Sequence, residues 1–318
     1  TTMKACFEIH YRTQWGEHLE LQLRQTAEDG KTTQRTTALD TIDGEVWRTE
    51  LTLPNAVGRL HYSYRVMEGR ECKREEWSLT PHTLVVAAGT TRIAATDQWR
   101  VLPDDAYRYT SSFTEAFAAH PVTTMPTPEG KKQLVIHLFA PEVPADQTLA
   151  VLGNQEGLGN WQSGREVRLA HIGLNEWAFA LNLDSVQGAV EYKFLTLDAA
   201  TGEQRLWEMR DNRILVLPAV EQGMTHYLQD PPAYFPVTPW RGAGCVIPVF
   251  SLRTEHTYGV GDFGALRKMI DWVALTGQRV LQILPINDTT ITNRWTDSYP
   301  YNSISIYAFH PMYVDLSQ

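Results

Sequence analysis

Cysteine is scarce in this 318-residue chain: Cys6, Cys72 and Cys245 are odd in number, far apart and in no metal-ligand spacing. That excludes a disulfide framework and a zinc site, and leaves buried reduced thiols as the expectation. Long apolar runs are missing too. No stretch approaches the ~18 to 20 residues that cross a bilayer, and Met3-Lys4-Ala5-Cys6-Phe7-Glu8 reads as a strand, not a signal peptide, so the expected location is the cytoplasm. Positive charge is short. With 28 Lys and Arg against 37 Asp and Glu, a formal net charge of -9 and no basic run, nucleic acid and anionic membranes are poor partners. Neutral ligands are favoured, and nothing in the sequence calls for a cofactor or a metal.

What is present is an ordinary globular composition, 43% hydrophobic and 20% charged, long enough for two or three domains. Residues 1–102 carry short β-rich runs broken by turns: Phe7 to Tyr11, His18 to Arg24, Val46 to Leu53, Leu60 to Met67 and Thr83 to Val86. Residues 103–130, with Pro121, Pro126 and Pro128, read as a linker. Residues 131–228 repeat the pattern with Gln133 to Phe139, Thr148 to Leu152, Trp177 to Leu183, Val190 to Leu197 and Arg213 to Leu217. The spacing predicts two tandem antiparallel sandwiches, and Trp77 and Trp207 mark what looks like a weak internal repeat.

From 229 to 318 the signature changes. After a connector carrying Pro231, Pro232, Pro236 and Pro239, Gly244 to Phe250 is a continuous apolar run, expected of a strand buried on both faces. Asp262 is placed to cap a helix whose apolar face holds Phe263, Leu266, Met269, Ile270 and Val273, with Gly277 as its left-handed stop. Arg279 to Leu284 reads as a second buried strand, completing a β-α-β unit of the kind that builds parallel barrels.

Three motifs of the second sandwich carry chemistry. Leu158-Gly159-Asn160-Trp161, Glu191-Tyr192-Lys193-Phe194 and Trp207-Glu208-Met209-Arg210-Asp211-Asn212-Arg213 stand in order on successive strands. An α-1,4-glucan is a curved ribbon with apolar C–H faces and an edge of neighbouring hydroxyls. Trp161 and Trp207 can serve as its platforms, while Lys193 and Asn212 can give and receive the hydrogen bonds a vicinal diol needs. Together these residues resemble the starch-binding domain, the family-20 carbohydrate-binding module, which has an immunoglobulin-like fold. In that resemblance Trp161, Lys193, Trp207 and Asn212 form the sugar site, with Glu208 orienting Lys193 and Arg213 a structural partner. Hiding a ring face is worth about 1 kcal/mol, so dissociation constants of ~10 μM to ~1 mM are expected.

The first sandwich departs from this pattern, with Ser63 at the position answering to Lys193 and Pro81-His82 at that of Asn212-Arg213. Its main site reads as degraded. Tyr11, Trp15 and Trp77 are weaker candidates for sugar contact, set against a docking role for the module.

Ser251-Leu252-Arg253, Tyr258 to Phe263, Leu284 to Thr289, Asp297-Ser298-Tyr299-Pro300-Tyr301 and Phe309-His310-Pro311 resemble, in order, the amylomaltase or disproportionating-enzyme family of 4-α-glucanotransferases, glycoside hydrolase family 77. The match runs from Trp240 to Gln318 and, with two starch-binding modules ahead of it, is similar to the N-terminal part of that family's plant cytosolic type. The resemblance implies a mainly β chain with two starch-binding sandwiches and the first strands and helix of a (β/α)8 TIM barrel. It implies a transferase acting on maltose, malto-oligosaccharides, starch or glycogen, with Tyr301 stacking on the donor sugar. No catalytic residue is expected in this chain, since the family's Asp nucleophile and Glu acid/base would fall beyond Gln318, and these residues alone are expected to be inactive. The competing readings are a non-catalytic starch- or glycogen-binding scaffold and an α-glucan hydrolase.

Overall fold

The computed structural model describes residues 2–27, 29–54, 58–86, 90–127, 130–236 and 241–317, so that Pro128, Pro239 and Trp240 lie outside the described residues. The chain divides into two compact units, Thr1–Val237 and Thr238–Gln318. Among the described residues the first holds eighteen strands: β1 Thr2–His10, β2 Glu17–Ala27, β3 Thr32–Ala38, β4 Asp40–Thr41, β5 Val46–Pro54, β6 Gly58–Glu68, β7 Glu71–Glu75, β8 His82–Val86 and β9 Arg92–Gln98, then β10 Lys132–Phe139, β11 Gln147–Gly153, β12 Val167–Arg168, β13 Ala170–Gly173, β14 Glu176–Asn182, β15 Val190–Asp198, β16 Gln204–Trp207, β17 Arg213–Leu215 and β18 Met224–Gln229.

Alternation builds these sheets. In β6, Leu60, Tyr62 and Tyr64 are buried while Arg59, His61 and Ser63 face outward, as a strand with one face on a core requires. The nine strands of each half pair alike. One sheet runs β3-β2-β6-β7 with β8 beside β6, and its counterpart runs β12-β11-β15-β16 with β17 beside β15. The internal repeat is therefore complete at the level of topology.

The other sheets of the two sandwiches are a single eight-stranded sheet, β13-β14-β10-β18-β9-β1-β5-β4. Its centre is a parallel seam in which Met224 to Leu228 of β18 lie against Arg92 to Thr96 of β9. Val135, Ala178 and Tyr227 accordingly join the core of the first sandwich, and the Tyr227 hydroxyl donates to the Val85 carbonyl. Neither β9 nor β18 was among the expected strands. Residues 103–127, read as a linker, are packed: Tyr109 and Met125 are buried, and the Thr123 amide donates to the His171 carbonyl at 2.8 Å.

In the second unit, β19 Gly244–Ile247 pairs in parallel with β20 Val280–Ile283, and helix α1 Phe263–Leu275 connects them. The Asp262 carboxylate caps α1 by accepting from the Ala265 amide at 2.8 Å, and Gly277 stops it at φ 74°. The expected β-α-β unit is present. Its strands are not buried on both faces, however: Val246 is 63% exposed, and Ile270, assigned to the inner face of α1, is half exposed. The small core is built from Val249, Leu252, Ala265 and Tyr313. The three cysteines are unpaired, and none is fully buried as expected; Cys72 is exposed and the other two are half-buried. No helix among the described residues is long and apolar enough to cross a membrane.

Candidate glucan-binding face of the second sandwich

Strand β15 places the site. Glu191 and Lys193 alternate outward from the buried Tyr192 and Phe194, and Leu195 continues their row but is covered, packed with Ala150, Leu152 and Leu197. Register then brings three neighbours to that outward row: Glu191 lies opposite Ile214 of β17, Lys193 opposite Leu152 of β11, and Leu195 opposite Trp207 of β16. Asn212, just ahead of β17, donates its amide nitrogen to Glu191 Oε1 at 2.8 Å, which fixes the carboxamide. Lys193 has neither a hydrogen bond nor an ion pair among the described residues. Its ammonium is free to donate three hydrogen bonds.

Trp161 reaches the same sheet from a tight loop. Leu158 is buried as an anchor, after which Gly159, Asn160 and Trp161 all take left-handed backbone, with φ of 77°, 51° and 56°. A Cβ at Gly159 would sit 2.3 Å from the Arg165 carbonyl and 2.8 Å from Leu152 Cδ2, so only glycine lets the loop lie on β11. Gln155 staples the loop base: its side chain donates to the Gln187 carbonyl at 3.1 Å and accepts from the Gln187 amide at 3.0 Å. The indoles of Trp161 and Trp207 are 37% and 40% exposed, which leaves apolar ring surface open to solvent.

Glu208 stands behind this face. It is buried, with its carboxylate accepting from Arg213 Nε and Nη2 at 2.9 and 2.8 Å and from the Phe194 amide at 3.1 Å. It makes no bond to Lys193, so the expected orienting role is corrected; its support runs through Arg213. That guanidinium also pairs with Asp230 at 3.0 Å, donates to the Pro231 carbonyl and lies 4.8 Å above the Phe194 ring. Asp230 in turn accepts from the Tyr192 hydroxyl at 2.8 Å. Burial and the neighbouring Asp230 charge push the Tyr192 hydroxyl far above its ordinary range, so it stays a donor.

The first sandwich repeats this buried arrangement. Glu76 accepts from the Tyr64 amide at 2.8 Å and faces His82 at 3.0 Å, and His82 faces Asp97, which accepts from the Tyr62 hydroxyl at 2.9 Å. Since Glu76 answers to Glu208, Glu75, opposite Arg65, answers to Trp207. The alignment of Trp77 with Trp207 is therefore corrected. Trp77 is half-buried beyond β7 and packs edge-on against Tyr109 at 5.2 Å. Tyr11 and Trp15 do not form a pair either. Tyr11 packs on Trp99 at 4.3 Å and accepts from Arg74, while Trp15 is fully exposed. Sequence reasoning missed Gln155 and Glu191, whose role depends on which loop and strand they face.

In the second unit a cavity of about 360 Å³ is bordered by Phe250, Asn287, Asp297, Ser298 and His310. Asp297 accepts from the amide and hydroxyl of Thr292, both at 2.8 Å, closing the loop it heads. Tyr301 is not in that wall; it is 60% exposed and its ring centroid is 5.5 Å from that of Tyr299.

Residues 133–226 match the starch binding domain family, and residues 247–318 match the 4-alpha-glucanotransferase family, glycoside hydrolase family 77. The chain is 34% identical to the 4-alpha-glucanotransferase DPE2 of Oryza sativa subsp. japonica over 174 residues, 55% of this chain and 18% of that protein. It is 45% identical to the 4-alpha-glucanotransferase of Chlamydia muridarum over 74 residues, 23% of this chain and 13% of that one. The chain thus spans less than a fifth of the length of these relatives. Among solved structures, the family 20 carbohydrate-binding module of the maltotetraose-forming amylase from Pseudomonas saccharophila is 22% identical, covering 31% of this chain and 99% of that one with a TM-score of 0.26. The resemblance drawn from the motifs holds: residues 133–226 are similar to the starch binding domain and residues 247–318 to part of the 4-alpha-glucanotransferase family.

Proposed function

We propose that the second sandwich is the glucan anchor of a 4-α-glucanotransferase acting on maltose, malto-oligosaccharides and starch- or glycogen-like polymers. The observation that carries this reading is the outward row of β15, where unpartnered Lys193 stands between Asn212 and Trp207 on a rigid strand. Sugar rings stack on Trp207 and Trp161, while Lys193 and the Asn212 carbonyl oxygen meet a vicinal diol. Calorimetric titration with cyclic maltoheptaose tests it. Saturable binding that weakens at least tenfold in Trp207→Ala supports the anchor; equal binding by both proteins overturns it.

In the same reading, the second unit is the opening of a (β/α)8 barrel in which Tyr301 stacks on the donor sugar. Retaining transfer needs a nucleophilic carboxylate and an acid/base carboxylate about 5 to 5.5 Å apart, with a sugar hydroxyl in place of water at the second step. Five of the six described carboxylates of this unit serve local structure instead: Asp262 caps α1, Asp288 accepts from the Thr290 amide, Asp297 holds Thr292, Asp315 holds Ser317 and Glu255 pairs with Lys268, while Asp271 is exposed on α1. These residues therefore bind and position glucan but do not transfer it. Incubation with maltotriose gives no longer oligosaccharides; a ladder of longer products sinks this part of the reading. Three unpaired thiols fit a reducing, cytoplasmic setting.

A further inference from the structure

In the first sandwich, the face that answers to the glucan site is cationic. The row that carries Asn154, Glu191, Lys193 and Asn212 in the second module carries Arg24, His61, Ser63 and Pro81 in the first, by the register of β2 on β6 and β11 on β15. There His61 replaces a carboxylate. A groove of about 320 Å³ lies on this face, with Gln22, Arg24, Gln34, Thr36, His61 and Ser63 in its wall and no carboxylate among the described residues that line it.

Arg24 and Arg59 have no ion-pair or hydrogen-bond partner among the described residues. Arg24 of β2 lies in the groove wall, and Arg59 of β6, outside that wall, stands on the neighbouring strand one diagonal step away, since Arg24 pairs with His61 and Thr26 with Arg59. Arg59 stands two residues from His61 and so faces the same way. Arg35 also borders the groove, spending one N–H on the Thr52 carbonyl. His61 donates to or accepts from Thr83 at 3.0 Å. Burial, then the charges of Arg24 and Arg59, hold its ring below the ordinary histidine value.

We propose that this groove binds an anionic sugar, a hexose bearing a phosphate or carboxylate group, with Arg24 and Arg59 clasping the anion and the amide and hydroxyl side chains taking the sugar hydroxyls. Guanidinium forks match both oxyanions, and Gln22, Gln34, Thr36 and Ser63 supply donors and acceptors of the kind a polyol needs. This goes beyond the glucan anchor and shares no residue with it.

The test uses the full chain carrying Trp161→Ala and Trp207→Ala, so that the second module's site is silent. Glucose 6-phosphate, glucuronic acid, inorganic phosphate and maltotriose are titrated at constant ionic strength, following the His61 ring by NMR. Either anionic hexose, or both, binds and raises the His61 titration midpoint; which of them does so separates phosphate from carboxylate recognition. Arg24→Ala or Arg59→Ala weakens that binding roughly tenfold, as loss of a charged hydrogen bond implies, and Arg24→Lys recovers part of it. Inorganic phosphate matching glucose 6-phosphate would reduce the groove to a bare anion patch and overturn the proposal. Maltotriose shifting the His61 ring as the anionic sugars do, or no binding by any probe, overturns it too. Failure of the anchor reading shows separately, as maltotriose binding unchanged by the tryptophan substitutions.

Discussion

The two sandwiches bury the same five-part clamp, a tyrosine hydroxyl, an aspartate, a central cation, a glutamate and the strand amide it accepts from, yet the cation is Arg213 in one and His82 in the other. Above that clamp the outward residues differ at almost every position, Lys193 against Ser63 and Trp207 against Glu75. Support and recognition are thus separable layers. The clamp sets where the strand face lies, and the exposed side chains decide what the face binds.

The sharpest way to break this symmetry is Arg213→Ala. It leaves the Glu208 carboxylate, 0% exposed, and the nearly buried Asp230 without a counter-charge, and should cost about 3 to 5 kcal/mol of unfolding free energy in denaturant titrations. Arg213→His, which copies the first module, should recover part of that loss. Gly159→Ala comes next. The left-handed φ and the 2.3 Å approach to the Arg165 carbonyl displace the Trp161 loop, with an expected loss of about 1 to 3 kcal/mol and weaker cyclic maltoheptaose binding by calorimetry.

Histidine in the first clamp predicts a pH dependence that arginine in the second cannot have. Burial and Arg100 oppose the charged ring, but Glu76 and Asp97 outweigh them and raise His82 to about 8. A folded-state value above the unfolded ~6.5 means the stabilisation is complete below pH 6.5 and is lost as pH rises through about 8. The loss should be roughly 2 kcal/mol, one pKa unit being about 1.4 kcal/mol. His171 and His226, held near 4 chiefly by burial, act in the opposite window, losing their contribution as pH falls from about 6.5. Unfolding free energies at pH 6 and pH 9 for the parent and His82→Gln check this: His171 and His226 are common to both proteins, so the change with pH in the gap between them isolates His82, and the parent's advantage from its charged ring should be present at pH 6 and gone at pH 9. The smallest effect is Lys193→Ser, which gives the second face the residue of the first and should weaken glucan binding about fivefold by calorimetry, about 1 kcal/mol for its hydrogen bonds.

The alternating strands of both sheets were legible because one face of each meets a core, and the Leu-Gly-Asn-Trp loop was legible because its glycine has no substitute. The seam was not. Thr225 to Tyr227 in β18 and Ile93 to Ala95 in β9 are buried without alternation, and local periodicity does not name a strand's partner. Trp77 drew the alignment because an indole is conspicuous, whereas Glu76 reads like a surface residue until its buried partners are seen. A better guide was the shared spacing of Tyr62-Ser63-Tyr64 and Tyr192-Lys193-Phe194. In the second unit the capped helix was readable, but Ile270 was assigned inward on spacing alone.

The parallel seam has a practical consequence for anyone dissecting this chain. Each sandwich gives the other the main-chain partner for its last strand, so cutting between them turns β9 and β18 into bare edges rich in β-branched and apolar residues. Such edges template pairing with other copies. A single sandwich expressed alone should therefore self-associate through that strand, and its behaviour in solution would misrepresent the pair.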